Sequence, residues 1–269
     1  SAFGFESLKL NTTAVGCSAF GASALAANLT TASNSAFGFE TLKANIGAQN
    51  SAFGSGALTT NTSGTGLAAF GYNALNLNLT SGNSSAFGHL ALQNNTGTGS
   101  SAFGKNALSA NTSASSNNAF GLSALGSVLT NGSNCAFGNN SLTLNTASGN
   151  SAFGHSTLAA NTSGTRNAAF GNNALAVNTD QSDNSAFGSG VLALNTGGAN
   201  SAFGSGALAA NTTGIRNCAF GNYSLTAVQT SSSNTAFGTY SLQANTAASN
   251  TAIGYNCLVL NTSATGNTG

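Results

Sequence analysis

The sequence predicts an all-β fold, a parallel β-solenoid of sixteen repeats, and three observations carry the prediction. The segment Ser-Ala-Phe-Gly at positions 1–4 returns, with small changes at its first and third places, up to positions 251–254. Its third residue recurs at intervals of 17, 17 and 16 residues without exception, which gives 16–17-residue repeats inside a 50-residue superperiod (17+17+16). Leu stands five residues after it in all sixteen repeats. A fixed period with large apolar side chains at a constant phase is typical of stacked repeat architectures.

The first element of each repeat is a short strand, x-Ala-Phe-Gly. Side chains alternate between the two faces of a strand, so the Phe lies on one face and the flanking Ala and Gly on the other. We expect the Phe to face the core, because coils stacked about 4.8 Å apart would bury it in a continuous ladder. The expected core ladder is Phe3, Phe20, Phe37, Phe53, Phe70, Phe87, Phe103, Phe120, Phe137, Phe153, Phe170, Phe187, Phe203, Phe220, Phe237 and Ile253.

The second expected element is another short strand, built around the Leu. In this strand Leu8 and Leu10, or Leu75 and Leu77, would share one face and oppose the Phe ladder across the core. A helix is the weaker alternative, because no 3.6-residue period survives and a Gly and an Asn-Thr interrupt the units.

Rows of small residues accompany the strand. Gly follows the Phe in every repeat, which predicts either a positive φ or a backbone that a neighbour approaches closely. Ala precedes the Phe, and the position four residues after the Phe stays small, as at Ala57, Ser141 and Cys257. This face is either a contact surface kept small along the solenoid or a turn without room, and the sequence leaves both open.

The third element is a corner at which Asn recurs, and only Val128 and Val228 interrupt the row. Stacked Asn amides hydrogen-bond from one coil to the next, and Asn tolerates the backbone conformations that corners need. A structural Asn ladder is therefore expected.

The first repeat of every 50-residue block also completes an Asn-x-Ser/Thr acceptor at this corner, and the same acceptor occurs in two second repeats. This regularity predicts covalent glycans along one edge of a secreted protein. The alternative, a turn that merely prefers Thr-Ser, stays open. The candidate glycosylation sites are Asn11, Asn61, Asn111, Asn161, Asn211, Asn261, Asn28 and Asn78.

The superperiod permits two coil sizes, and the few charged residues separate them. If each repeat closes one coil, Arg166 lies beside Asp183; if 50 residues form one large layer, Arg166 stacks on Arg216. Like charges one strand spacing apart are unfavourable, so one coil per repeat is expected.

Composition narrows the function. Only 3% of the 269 residues are charged, and Pro, Met and Trp are absent. A net charge of +1 gives no electrostatic footprint for nucleic acid, and no apolar run reaches the length that a membrane helix needs. The lack of Met suggests a processed or internal segment. We expect a single β-solenoid repeat domain over 1–269, a segment or subunit of a longer fibre.

Residues that could carry chemistry are scattered. His89 and His155 each fall in a turn four repeats apart, and the Gly-rich stretches lack the Lys of a phosphate loop. The four cysteines, Cys17, Cys135, Cys218 and Cys257, occupy no adjacent coils, so they form no disulfide framework within the chain. An interchain bridge from Cys17 or Cys257 stays open. We therefore expect no enzymatic activity, no metal and no cofactor other than covalent glycans.

The unit Ser-Ala-Phe-Gly-x-x-Ala-Leu, at Ser51–Leu58 and Ser201–Leu208, resembles the Ser-x-Ala-x-Gly repeats of trimeric autotransporter adhesin heads. The fuller unit at Asn200–Gly214 is similar to the Asn-Thr-Ala-x-Gly-x-x-Ala-Leu repeats of bacterial surface and phage fibre-like proteins. The resemblance covers the whole chain. It implies a parallel β-roll and a place on a cell surface or fibre.

The expected function is that of a structural subunit of an extracellular or cell-surface filament, which assembles with copies of itself head-to-tail or laterally. The first and last repeats resemble the interior ones and lack polar caps, which favours longer chains or end-to-end stacking. The alternatives are an adhesin shaft or an ice-binding solenoid. The ice-binding alternative would use the row Thr12, Thr62, Thr112, Thr162 and Thr212, which Leu29, Leu79 and Leu129 interrupt.

Overall fold

The computed structural model describes residues 1–269, which form short strands and turns without any helix. The chain divides into two compact units, Ser1–Asn134 and Cys135–Gly269, with eight strands each. The first unit contains β1 (Ala2–Phe3), β2 (Ser18–Phe20), β3 (Ser35–Phe37), β4 (Ser51–Phe53), β5 (Ala68–Phe70), β6 (Ser85–Phe87), β7 (Ser101–Phe103) and β8 (Asn118–Phe120). The second contains β9 (Cys135–Phe137), β10 (Ser151–Phe153), β11 (Ala168–Phe170), β12 (Ser185–Phe187), β13 (Ser201–Phe203), β14 (Cys218–Phe220), β15 (Thr235–Phe237) and β16 (Thr251–Ile253). The expected single domain over 1–269 stays a prediction.

Within each unit, every strand pairs in parallel with its neighbours in chain order. Equivalent residues meet at each step: Ala52 pairs with Ala69 between β4 and β5, and Phe170 with Phe187 between β11 and β12. The predicted fold class, an all-β parallel solenoid with repeats of 16–17 residues, is confirmed.

One repeat closes one coil, as the charged residues indicated. The guanidinium of Arg166 forms two hydrogen bonds with Asp183 of the following coil, at 2.6 Å from Nε to Oδ1 and 2.9 Å from Nη2 to Oδ2. A 50-residue layer would not bring these residues together.

The orientation predicted for the strand was wrong. Ala occupies the inner face, as at Ala52 and Ala169, both of which are fully buried, whereas the Phe rings project outward. Alternation gave the two faces correctly but not which of them lies inside. The interior is already occupied by the Leu row and by buried Asn side chains, such as Leu58 and Asn61. The outward row comprises Phe3, Phe20, Phe37, Phe53, Phe70, Phe87, Phe103, Phe120, Phe137, Phe153, Phe170, Phe187, Phe203, Phe220, Phe237 and Ile253, of which Phe3, Phe237 and Ile253 are exposed and the others half-buried.

The prediction of a second strand around the Leu was also wrong, because this Leu lies in a succession of turns. Asn73 and Leu75 have left-handed backbones, with φ of +52° and +51°, and the equivalent Leu is left-handed in every repeat. The reversal of backbone hand separates the two Leu residues that were expected to share a face: Leu75 is fully buried, whereas Leu77 is 45% exposed. The coil-to-coil ladder nevertheless continues, since the backbone N–H of Leu75 donates to the carbonyl of Ala91 at 3.0 Å.

The face kept small is the interior of the coil, and the contact-surface alternative for it is wrong. Ala57 and Ser141, four residues after their Phe, are fully buried. Where this position is polar, its hydroxyl donates to a backbone carbonyl: Ser141 Oγ to Gly138 of its own coil at 2.9 Å, and Thr157 Oγ1 to Gly171 of the next coil at 2.6 Å.

Both predictions for the Gly after the Phe are confirmed. Gly54 has φ of +129°, and a Cβ built on it would lie 2.6 Å from the carbonyl oxygen of Gly71 in the next coil. Coils stack this closely only because neither backbone carries a side chain at this point.

Candidate assembly surface

The Asn corner is a buried ladder, as expected for a structural role. Asn61 Nδ2 donates to Asn45 Oδ1 of the preceding coil at 2.6 Å and to the carbonyl of Gly64 at 3.1 Å. Asn78 Nδ2 of the next coil donates to Asn61 Oδ1 at 3.0 Å. The amide of Asn61 therefore links its own corner to both neighbouring coils.

The glycan prediction fails at most of its sites, because a glycan would have to be attached to an amide nitrogen that is already engaged. Both Asn61 Nδ2 protons have acceptors inside the coil, and no solvent reaches the side chain. Of the remaining candidates, Asn11 is exposed and Asn261 half-buried. The fully buried candidates are Asn28, Asn61, Asn78, Asn111, Asn161 and Asn211.

The two interruptions of the ladder have a measurable consequence. Val128 and Val228 are fully buried where the ladder needs an amide donor. The Oδ1 atoms of Asn111 and Asn211, one coil before them, have no hydrogen-bond partner. An unsatisfied buried acceptor costs about 1–3 kcal/mol, so the ladder is weakened at these two coils.

A second Asn ladder, three residues before the Phe, was missed by the sequence analysis. Asn50 donates its backbone N–H to Asn34 Oδ1 at 2.9 Å and its Nδ2 to the carbonyl of Gly64 at 2.8 Å. Aligning the repeats on their Phe would have revealed this row, although Cys17, Leu67, Ser84 and Ser100 interrupt it.

The 16-residue repeats differ from the 17-residue ones only between these two ladders. In a long repeat the corner Asn donates to the carbonyl three residues on, as Asn211 does to Gly214 at 3.0 Å. In a short repeat it donates to the carbonyl two residues on, as Asn195 does to Gly197 at 2.7 Å. The missing residue is thus absorbed in one turn, and the strand register is unaffected.

The Thr row is engaged in the same coil-to-coil bonding. Thr62 and Thr162 donate their hydroxyl protons to the carbonyls of Leu79 and Thr179, at 2.8 and 3.0 Å. These hydroxyls consequently have no proton left for an outside partner.

The most continuous outward feature is the row of Phe rings. Phe37 and Phe53 stack with ring centroids 4.6 Å apart and planes 5° from parallel, and Phe187 and Phe203 have the same 4.6 Å spacing. Beside each Phe on the same face lies the residue before the inward Ala, which is Ser, Ala, Asn, Cys or Thr. We call these two rows the Phe face. No charged residue occurs in either row.

Two of the four free cysteines lie on the Phe face. Cys135 and Cys218 are the first residues of β9 and β14, and burial raises the pKa of both thiols. Cys17 is buried in the second Asn row, 3.7 Å from Asn28 Nδ2.

The remaining polar residues form isolated surface contacts. The Lys9–Glu6 and Lys43–Glu40 pairs are 2.6 Å apart, three residues from each other along the chain, as expected for solvated pairs. His89 is exposed and stacks on Tyr72 with ring centroids 5.3 Å apart.

One apolar groove of about 490 Å³ lies outside the Phe face, lined by Leu10, Ala26, Ala27 and Ala44. The hydroxyl of Thr60 beside it donates to the carbonyl of Asn76 at 2.6 Å, so it has no proton to offer a ligand. No group of three or more His, Cys, Asp or Glu side chains is arranged to hold a metal ion. The protein also has no helix whose length and hydropathy would let it cross a membrane.

Comparison with known proteins adds no family to these observations. No protein-family model, no curated protein and no solved structure matches the chain.

Proposed function

We propose that the protein is a structural subunit of an extracellular filament or fibre, built by stacking β-solenoid coils. The observation that carries the proposal is the continuity of its ladders. With few interruptions, each coil offers the next the same backbone groups, Asn amides and Phe ring. Solenoids of this kind gain stability with every coil added, because each repeat contacts only its neighbours.

The recurring polar groups support a structural rather than a catalytic role. Catalysis needs convergent polar groups that are free to act on a substrate. Here the repeated Asn and Thr side chains are engaged in coil-to-coil bonds, as at Asn61 and Thr162. The extracellular location rests on the resemblance to surface and fibre repeats. Glycans on the Asn ladder are not part of the proposal.

Electron microscopy of the purified chain tests the proposal. We expect long filaments of uniform width, with an axial reflection at about 4.8 Å from the coil spacing. The Ser163→Lys variant, which alters an exposed residue outside the Phe face, serves as control and should form the same filaments. Discrete particles no longer than one chain, at all concentrations, would refute the filament function.

The ice-binding alternative has less support. An ice-binding face needs an ordered row of available groups, whereas the Thr112 hydroxyl donates to the carbonyl of Leu129 at 2.8 Å. We expect no thermal hysteresis from the purified protein, and a clear hysteresis would favour this alternative over the filament. An adhesin shaft stays a prediction.

A further inference from the structure

We propose that the Phe face is an interface between two copies of this chain, which pair face to face about a two-fold axis. The inference deepens the proposed filament function and rests on it, since it names the surface through which solenoids associate laterally. Three properties of the face carry it: its spacing, its lack of charge and its area.

The axial spacing of the Phe rings indicates which partner fits the face. The rings of Phe153 and Phe170 repeat at 4.6 Å, and the stacking continues from coil to coil in both units. A surface that meets such a row over many rungs must have the same axial repeat, because any other spacing drifts out of register. A second copy of the chain presents that repeat on the same face.

The lack of charge fits a self-complementary contact. An isologous interface brings the same patch of both subunits together, so any charge near the axis would meet its like. Neither row of the Phe face contains Asp, Glu, Lys or Arg, and its small residues, such as Ser185 and Ser201, leave room between the rings of the opposing copy. The few charged side chains lie outside it, as at Arg166 and Glu40.

The area fits a specific pair. A half-buried Phe exposes on the order of 50 Å², so the rings and small residues of one unit present roughly 500 Å². A standard interface takes about 800 Å² per partner. Two such faces, one from each copy, would together bury roughly 1,000 Å², which is about the lower limit for a specific interface. Exposed apolar patches of several hundred Å² are also characteristic of interaction sites.

Sedimentation of the full chain with matched Lys variants tests the interface. Ser185→Lys places a charge on the Phe face, and Ser163→Lys places the same charge on an exposed turn outside it. The wild type and Ser163→Lys should form pairs with equal dissociation constants. In Ser185→Lys, and in Ser185→Glu, the pair should be at least about tenfold weaker, since desolvating an unpaired charge is costly. Equal pairing by all four proteins, a wild type that stays monomeric, or a trimer would overturn the proposal.

The native thiols supply a second measurement that needs no charged variant. Cys135 and Cys218 lie on the Phe face, and a Ser163→Cys thiol lies outside it. Raising the protein concentration through the pairing range should slow maleimide labelling of Cys135 and Cys218 at least threefold and leave the control thiol unchanged. Labelling rates that do not depend on concentration would contradict the interface.

The two proposals fail separately. Pairing is measured on dispersed chains, so an absence of filaments in the microscope leaves it testable. Filaments one solenoid wide that form equally well from Ser185→Lys would retain the filament function and remove the lateral interface.

Discussion

At the scale of single residues, two of the positions with positive φ in each repeat always carry the same residue type. The Gly after the Phe has φ near +130°, as at Gly54, and faces the equivalent Gly of the next coil. The Leu five residues after the Phe has φ near +50°, as at Leu108, and fills the interior. Residues other than Gly, Asn and Asp seldom adopt a left-handed backbone, because their Cβ then crowds the following carbonyl oxygen.

Two glycines separate the cost of a close contact between coils from the cost of a positive φ. In Gly171→Ala, the new Cβ would lie 2.3 Å from the carbonyl oxygen of Gly188, whereas Gly190→Ala meets no atom within 4 Å and has a φ of +64°. Gly190→Ala should lower the free energy of unfolding by about 1–2 kcal/mol, because Ala is strained in the left-handed conformation. Gly171→Ala should lower it considerably more or prevent folding. Denaturant unfolding measures both, and equal losses would contradict the close-approach argument.

The Leu row gives a prediction that opposes the usual view of conservative core changes. Volume-conserving apolar substitutions normally cost less than about 1.5 kcal/mol. At Leu108, with φ of +51°, we expect Leu108→Met to follow this rule. Leu108→Ile should cost about 1–3 kcal/mol more, because a β-branched side chain is strained in the left-handed region. Equal thermal midpoints for the two variants would show that backbone hand does not select Leu here.

At the scale of the element, one coil is held to the next by side-chain amides as well as by the strand. The strand itself is only three residues long, as in β4. The two Asn ladders extend the bonding around the corner, where Asn50 and Asn61 converge on the carbonyl of Gly64. Such buried amides stabilise the fold only when their partners remain in place.

Matched Asn→Ala substitutions test the ladder. Asn61→Ala removes two donated hydrogen bonds and leaves Asn78 Nδ2 without one acceptor. It should lower the free energy of unfolding by at least about 2 kcal/mol, since buried unsatisfied groups cost about 1–3 kcal/mol each. The exposed Asn11→Ala should change it by less than about 0.5 kcal/mol. Comparable losses at the two positions, or a glycan found on Asn61 by peptide mapping, would contradict the buried ladder.

The ion pair between adjacent coils predicts a dependence on pH. Hydrogen bonding to Arg166 holds the pKa of Asp183 below its ordinary value. A lowered carboxyl pKa contributes stability above the ordinary pKa of Asp, and the contribution is lost as the pH falls through the lowered value. Both side chains are at least half exposed, so the effect should be small and screened by salt.

The measurement compares the wild type with Arg166→Gln, and Arg216→Gln is the control. At neutral pH and low salt, Arg166→Gln should melt slightly below the wild type, and the difference should vanish in strong acid. Arg216→Gln should have the same thermal midpoint as the wild type at both pH values. A difference for Arg166→Gln that persists in strong acid would assign its effect to something other than the carboxylate.

At the scale of the whole chain, the 17, 17, 16 rhythm is stricter than stacking requires. Long and short repeats make the same corner hydrogen bond, at Asn211 and Asn195, with acceptors three and two residues on. Since one turn absorbs the difference, packing inside the coil does not dictate which repeats are short.

Matched insertions test this tolerance. A Ser inserted between Thr196 and Gly197 lengthens a short repeat to 17 residues and should shift the thermal midpoint by only a few degrees. The same Ser inserted between Ala202 and Phe203 shifts the strand register of β13 by one residue. Phe203 would then turn to the opposite face, which should prevent that coil from stacking. Unfolding of the first variant would show that the short repeat is required by the fold itself.

The sequence by itself determined the length of the coil, the parallel in-register stacking and the positions of the Gly and Leu rows. Those features follow from the spacing, because residues at equal phase must meet when identical units stack. The pairing of Arg166 with Asp183 was predictable for the same reason. The Asn corner was identifiable from its period, and the second Asn row was present in the same alignment.

Only the tertiary structure decided which face of the strand is inside. Alternation separates Ala from Phe but is satisfied equally by either orientation. In the closed coil the Leu of the left-handed turn and the Asn side chains occupy the interior, and the strand contributes its small Ala to it. The closure of the coil also buries most of the Asn residues that the Asn-x-Ser/Thr motif predicted to be glycosylated on the surface. It also leaves the Phe row outside, where it forms the surface proposed to pair with a second copy.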